Sequence, residues 1–234
     1  MSPFTLPSPT EFIASRFAER FVVDGLLYVL GGYNNNQGFL NSMEVKERGG
    51  PRWTSLPLST MPSPLMWSCA ASIGTTGIMV AGGQPEAFVY AIDQAWSLDL
   101  TTGIWTPEQS MPHGVRAAHA CIEYNYQGDQ GMLLTGGCDV AGCSEETTTT
   151  EFFNYRTRTW TELAPLNKAR SHHTMAYVGD KVAAIAGDNS LSGEFDDVEL
   201  FDGVSWTTHP SRLTYPRDSQ GTPAYVPDSF YKCY

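Results

Sequence analysis

The chain contains no stretch near the roughly 18 apolar residues that a membrane-crossing helix requires, and its opening, MSPFTLPSPTEF, lacks the basic patch and apolar core of an export signal. Basic residues are few. Fourteen Lys and Arg stand against 25 Asp and Glu, a net charge of −11, which opposes attraction to phosphate backbones and anionic lipid, so neither nucleic acid nor membrane is an expected partner. Cysteine is sparse at five, an odd number with no Cys-x-x-Cys spacing, and no Asn-x-Ser/Thr glycosylation acceptor occurs. Gly-rich phosphate loops, a nucleophile elbow and a His-Glu-x-x-His motif are also absent, so no catalytic residue, cofactor or metal set is expected. The missing leader points to a cytoplasmic protein with reduced thiols, or to a secreted one if the chain is a fragment that has lost its signal peptide.

What the chain does have is glycine, proline and aromatics: 22 Gly, 15 Pro and 12% aromatic residues in 234 describe an ordered, strand- and turn-rich, all-β protein. Four apolar runs end in small residues: LLYVLGG (26–32), GIMVAGG (77–83), GMLLTGG (131–137) and VAAIAGD (182–188). Their first glycines, with Ala186 standing in the fourth, lie 51, 54 and 50 residues apart. By segment rather than by spacing, Asp188 replaces the second glycine of the fourth run. A Trp-Thr pair keeps almost the same step at Trp53, Trp105, Trp160 and Trp206. Each unit also carries a second run (SMEV, WSLDL, EFFNY, VELFD), a proline-bearing connector and a further strand-like piece such as WSCAASI, AAHACIEY or SHHTMAYV. That makes about four strands in roughly 50 residues, a unit that cannot bury both faces alone and so stacks radially on its copies. The tryptophans then fill the space between sheets.

Glycine pairs ending an apolar strand, an apolar residue in the next strand (Leu100, Tyr155, Phe201) and a Trp about five positions on resemble the kelch repeat. The resemblance implies a kelch-type β-propeller with blades at about 16–63, 64–114, 115–168 and 169–214, a partial fifth at 215–234, and residues 1–15 as an extension. Kelch propellers resembling this one usually close with five to seven blades, so the chain is expected to be a fragment or an incomplete ring. The resemblance also implies a noncatalytic protein-interaction module that grips its partner through the loop-bearing channel face, as in the adaptors of cullin ubiquitin ligases. A sugar-active or metal-dependent propeller enzyme is the alternative, and a scaffold for a cytoskeletal or extracellular partner a third.

Arginines recur where each unit's first strand begins: Arg16, Arg116, Arg170 and Arg217, with Pro64 or Leu65 in the second unit. Two readings stand. Either the guanidiniums gather as a positive basin for an acidic peptide, or each simply hydrogen-bonds its neighbouring connector. After the glycines, Tyr33, Asn34, Asn35, Gln84, Asp139 and Asn189 are the expected companions in partner binding. His172-His173 is a poor metal pair, because His173 repeats the position of His119 and adjacent strand residues face opposite ways. Cys69 and Cys121 read as equivalent small buried hydrophobes. Cys138 and Cys143, bracketing DVAG, read as two reduced loop thiols or a small disulfide. Glu145, Glu146, Glu194, Asp196 and Asp197 read as solvated loop carboxylates, with a weak cation site as the alternative.

Overall fold

The computed structural model describes residues 18–46, 53–55, 60–86, 91–139 and 143–218. Every regular element among them is a strand. The first unit runs β1 (Glu19–Val23), β2 (Leu26–Leu30), a small hairpin of β3 (Tyr33–Asn34) and β4 (Gly38–Phe39), then β5 (Met43–Lys46) and β6 (Thr54–Ser55). The second holds β7 (Cys69–Ile73), β8 (Gly77–Ala81), β9 (Ala95–Asp99) and β10 (Ile104–Pro107), and the third β11 (Ala120–Tyr126), β12 (Asp129–Thr135), β13 (Thr150–Asn154) and β14 (Thr159–Leu163). The fourth has β15 (Thr174–Val178), β16 (Lys181–Ile185), a hairpin of β17 (Asp188–Asn189) and β18 (Gly193–Glu194), then β19 (Val198–Phe201) and β20 (Trp206–Thr208). In each unit the four long strands form one antiparallel sheet in sequence order, β1-β2-β5-β6 in the first and likewise thereafter. The first strands β1, β7, β11 and β15 touch one another in series, so they are the innermost strands of a four-bladed propeller arrangement.

Three apolar clusters fill the three junctions between blades. Phe21, Tyr28, Leu30 and Met43 meet Leu65, Ile78 and Leu98 between blades one and two. Met79 and Met111 meet Met132, Leu134 and Phe153 between two and three, and Leu133 meets Met175, Val182, Phe201 and Trp206 between three and four. The tryptophans serve these clusters: Trp105 packs on the first, Trp160 on the second, and Trp206 is buried in the third. Two of these rings also reach back to the preceding blade by the indole N–H, from Trp160 to the Gln109 carbonyl at 2.7 Å and from Trp206 to Thr150 Oγ1 at 3.2 Å. The adjoining Thr106, Thr161 and Thr207 point to the exposed face, as strand alternation requires.

Register sets the cross-strand companion of each indole. Trp105, Trp160 and Trp206 lie opposite Leu98, Phe153 and Phe201, with ring centroids 5.0 Å apart in the last two pairs. Leu100 and Tyr155 therefore lie two residues beyond the rank that Phe201 occupies.

Register also places the glycine pairs. Gly31, Gly82 and Gly136 have φ of 63, 59 and 59°, and Ala186 has 60°, while the second positions Gly32, Gly83, Gly137 and Gly187 lie at 89 to 99°. Ala186 therefore stands for the first glycine and Gly187 for the second, so Asp188 replaces neither. The demand for glycine is steric, since a Cβ on Gly82 would sit 2.5 Å from the Arg116 carbonyl oxygen of the next blade. The second glycine's N–H then ties each blade to the connector that follows, from Gly32 to Leu65 O (2.6 Å), Gly83 to Arg116 O (2.8 Å), Gly137 to Arg170 O (2.8 Å) and Gly187 to Arg217 O (3.0 Å). Leu65, not Pro64, is thus blade two's counterpart of the arginines.

Candidate partner-binding face

The ends of second strands, the starts of third strands and the connectors into first strands all lie at one face of the ring, and the tight hairpins lie at the other. On the first face each loop is closed at its neck by a backbone bond to the second glycine's carbonyl, from Leu40, Ile92, Thr147 and Phe195 at 2.8 to 2.9 Å. Nearer the axis, the Ala118 amide donates to Trp67 O (2.8 Å) and the His172 amide to Ala118 O (2.9 Å). These three residues hold the left-handed backbone, with φ of 55, 53 and 50°. Across small Ala118 the Trp67 and His172 rings meet edge to face with centroids 5.8 Å apart. Neither was singled out from the sequence as a contact residue. Trp67 is the tryptophan without a Thr partner that falls at this rank, the one signal available.

The arginines do not form an open basin. Arg116 is 1% exposed and Arg170 0%, and both are neutralised within their own blade. Arg116 pairs with buried Glu151, which also accepts from the His113 amide (3.1 Å) and lies 2.8 Å from His113 Nδ1. Arg170 donates to Ala186 O (2.7 Å), Asp197 (2.9 Å) and Glu199 (2.7 Å), and its guanidinium lies over the Phe195 ring at 5.1 Å. Glu199 accepts in addition from the Asn167 amide (2.6 Å) and the Lys168 amide (3.2 Å), both in the connector. Asp197, expected as a solvated loop carboxylate, is buried instead. Burial pushes its pKa up, but Lys168 and Arg170 outweigh that and hold the carboxyl below its usual range. Desolvation lowers the Arg116 pKa from its ordinary value, against the pull of Glu151. Arg217 is exposed, with its Nε 3.5 Å from the Tyr215 carbonyl oxygen, and Arg16 lies outside the described residues.

The loop residues divide in the same way. Gln84 is buried and its backbone exchanges both hydrogen bonds with Met66, the rank that Cys138 and Asp188 share against Ala117 and Ser171. Asn34 spends its side-chain oxygen on the Asn36 and Gln37 amides, closing a hairpin whose Tyr33 and Phe39 rings meet at 5.4 Å. Asn189 is half-buried, accepting from the Leu191 amide (3.0 Å) and donating to Ala169 O (3.2 Å), and Asp139 is half-buried as well. Asn35 is exposed, and Leu191, at the tip of the β17–β18 hairpin, is 94% exposed. That hairpin is pinned to blade three, where Glu146 accepts from the Ser190 amide (3.0 Å) and hydroxyl (2.9 Å). Glu145 and Glu194 are exposed beside it.

A Ser171–His172–Asp188 trio does gather at the channel mouth, yet it is no proton relay. Asp188 and Ser171 both approach the same ring nitrogen, His172 Nδ1, at 3.0 and 3.3 Å, and Ser171 is fully buried. His119 and His173 are sealed under the glycines. His119 Nε2 donates to Ala81 O (3.1 Å) and His173 Nε2 lies 2.8 Å from Thr135 Oγ1. Burial, reinforced by the neighbouring arginines, lowers His119 to about 3 and His173 well below its usual value, so both are neutral. Among the described residues no group of three or more His, Cys, Asp or Glu could hold a metal ion.

The cysteines correct two expectations. Cys69 pairs with Ala81 and Ala120 with Thr135, each one residue before the first glycine, so Cys69 matches Ala120 and Cys121 is one rank further. They are not equivalent. One rank of offset turns their side chains to opposite faces of their own sheets, hence toward each other, with Cα atoms 5.9 Å apart and the sulfurs bonded. Cys138 and Cys143 are also bonded, with Cα atoms 4.9 Å apart.

Radial four-stranded sheets, glycine-tipped staples and closed loops on one face define a propeller of the kelch class. Residues 18–229 match the KLHDC2/KLHL20/DRC7 Kelch-repeats domain, and the chain belongs to the kelch-repeat family. It is 45% identical over 49 residues to Kelch-like protein 7 of Gallus gallus and Homo sapiens, covering 21% of this chain and 8% of those proteins. It is 26% identical over 192 residues to an F-box/kelch-repeat protein of Arabidopsis thaliana, 78% of this chain and 42% of that one. The chain thus spans less than half the length of these curated relatives.

Proposed function

We propose that this chain is a noncatalytic protein-interaction module that seats a partner segment across the loop face, against Tyr33, Asn35, Asn189, Leu191 and Arg217, with Trp67 and His172 at the channel mouth. The observation that carries this is the pinned β17–β18 hairpin: an aliphatic side chain, Leu191, is held out at 94% exposure on a tip fixed to the preceding blade through Glu146. A rigid tip loses little conformational freedom on binding. Among the described residues of the arginine series an acidic peptide draws support from Arg217 alone, because Arg116 and Arg170 are buried and paired, while Glu145 and Glu194 are exposed on the same face. The partner segment we infer is therefore neutral or basic. A place as the substrate-recognition part of a cytoplasmic ubiquitin-ligase adaptor is in keeping with the F-box named in the plant relative.

The test is proximity capture with the wild-type chain and a variant carrying Asn35→Ala, Leu191→Asp and Arg217→Glu. Partners lost from the variant, with thermal stability kept, are the expected result. Partners that persist in the variant and disappear on changing the opposite, hairpin-bearing face at Val22 and Val204 would place the binding surface there instead.

A further inference from the structure

Two inner-strand positions face one another at every blade junction. Between blades three and four they hold Ala120 and Met175, both in the buried cluster with Leu133 and Phe201. Between blades one and two the same ranks hold Glu19 and Ala70. Between blades two and three they hold Cys69 and Cys121, bonded across a Cα separation of 5.9 Å, inside the usual range for a disulfide. Cys69 is buried and Cys121 half-buried, so Cys121 is the more open residue of the pair. The link lies just below the channel mouth, two residues past Trp67 and three past Ala118, whose carbonyl and amide respectively form one of the hydrogen bonds between these blades. Cys138 and Cys143, five residues apart, tie only one loop, whereas the 52-residue separation of Cys69 and Cys121 ties two blades.

We propose that Cys69 and Cys121 form a reversible thiol–disulfide clamp that fastens blade two to blade three beneath the loop face, and that its state tunes partner binding there. The second half rests on the function proposed above; the clamp itself does not. The oxidant is a low-molecular-weight disulfide. The Cys121 thiolate attacks one of its sulfurs and releases one small thiol, leaving a mixed disulfide on this more open cysteine. The Cys69 thiolate then attacks the Cys121 sulfur, the protein S–S bond forms and the second small thiol departs. Two electrons pass from the cysteine pair to the small disulfide, and the two thiol protons end on the released thiols. Reduction runs the same steps backward with the small thiol as attacker. A compartment rich in such thiols would hold the clamp open until an oxidising shift closed it, the use that intracellular protein disulfides commonly have.

The test uses the full chain with Cys138, Cys143 and Cys233 changed to Ser, equilibrated in graded mixtures of reduced and oxidised glutathione, quenched by alkylation and weighed. The wild-type chain is followed in parallel by peptide mapping of Cys69 and Cys121, so that a folding defect in the variant leaves a second readout. Expected are two alkylated cysteines at the reducing end, none at the oxidising end, return on adding reduced glutathione, and a Tm lower by about 10 °C in the reduced state. Cys69→Ser should show the lower Tm throughout. Thiols alkylated at every ratio, a Tm blind to the state, or a bond that survives reduced glutathione as a fixed staple would each overturn the clamp. If the loop-face variant loses its partners but clamp state leaves capture unchanged, the coupling fails while the binding face stands; if the clamp cycles and the loop-face variant still captures every partner, the binding face fails while the clamp stands.

Discussion

Blade two and blades three and four solve one problem in opposite ways. Where the connector enters a first strand, blades three and four bury an arginine against a glutamate of the third strand: Arg116 with Glu151, and Arg170 with Glu199. Blade two has Leu65 in the arginine's place and, by strand register, Trp96 in the glutamate's, both within the cluster between blades one and two. The charged pair has been exchanged as a unit for an apolar one on the same backbone. That is the pattern expected when a buried ion pair and a packed hydrophobic pair are close in net stability, while half of either is costly. The recurring arginine therefore belongs to the repeat's architecture and not to a ligand basin.

Breaking one half of a charged junction should have the largest effect. Arg170→Leu leaves buried Glu199 without its cation and Asp197 with Lys168 only, and should destabilise the chain by about 3–5 kcal/mol, read as a fall in Tm of roughly 10–15 °C by calorimetry. Converting blade three toward blade two is gentler: a double-mutant cycle on Arg116→Leu and Glu151→Leu should show the pair losing about 1–3 kcal/mol less than the sum of the single changes. Smaller again is the response to acid. His119 and His173 stay neutral when folded, with His119 lowered to about 3, whereas the unfolded chain takes up protons as pH drops below the ordinary imidazole value. Stability is therefore full above about pH 6.5 and falls below it, by about 1.4 kcal/mol per pH unit for each fully titrating imidazole, and urea midpoints between pH 7 and 5 should show a shallower slope in His119→Gln. Least of all, Ala186→Gly should raise stability by roughly 0.5 kcal/mol, because the alanine holds a backbone conformation, φ 60°, that its three counterparts leave to glycine.

The blade plan could be read from the sequence because its markers are dictated by backbone and volume. A glycine is needed where a carbonyl of the next blade approaches, and an indole where two sheets leave a wide gap, so both recur at the blade period whatever the protein binds. The site was legible only in part. Arg116 and Arg170 recur for the same internal reason, and spacing alone cannot separate a guanidinium aimed at solvent from one aimed at Glu151 or Glu199. Leu191 escaped notice because a leucine in a polar loop has no periodic signature, and its prominence comes from the hairpin that holds it. The cysteine pair is hidden by an offset of one: Cys69 and Cys121 are 52 residues apart, close to the repeat length, yet strand register makes the step at that rank 51.

That single step has a wider meaning. In a ring built from copies of one sheet, a side chain's rank along the inner strand and the number of its copy together form an address, and each address on one copy has a fixed neighbour, one rank on, in the next. Covariation between adjacent copies of this family should thus run diagonally through the repeats, with Glu19 against Ala70 and Ala120 against Met175 as the two uncrosslinked instances within this chain.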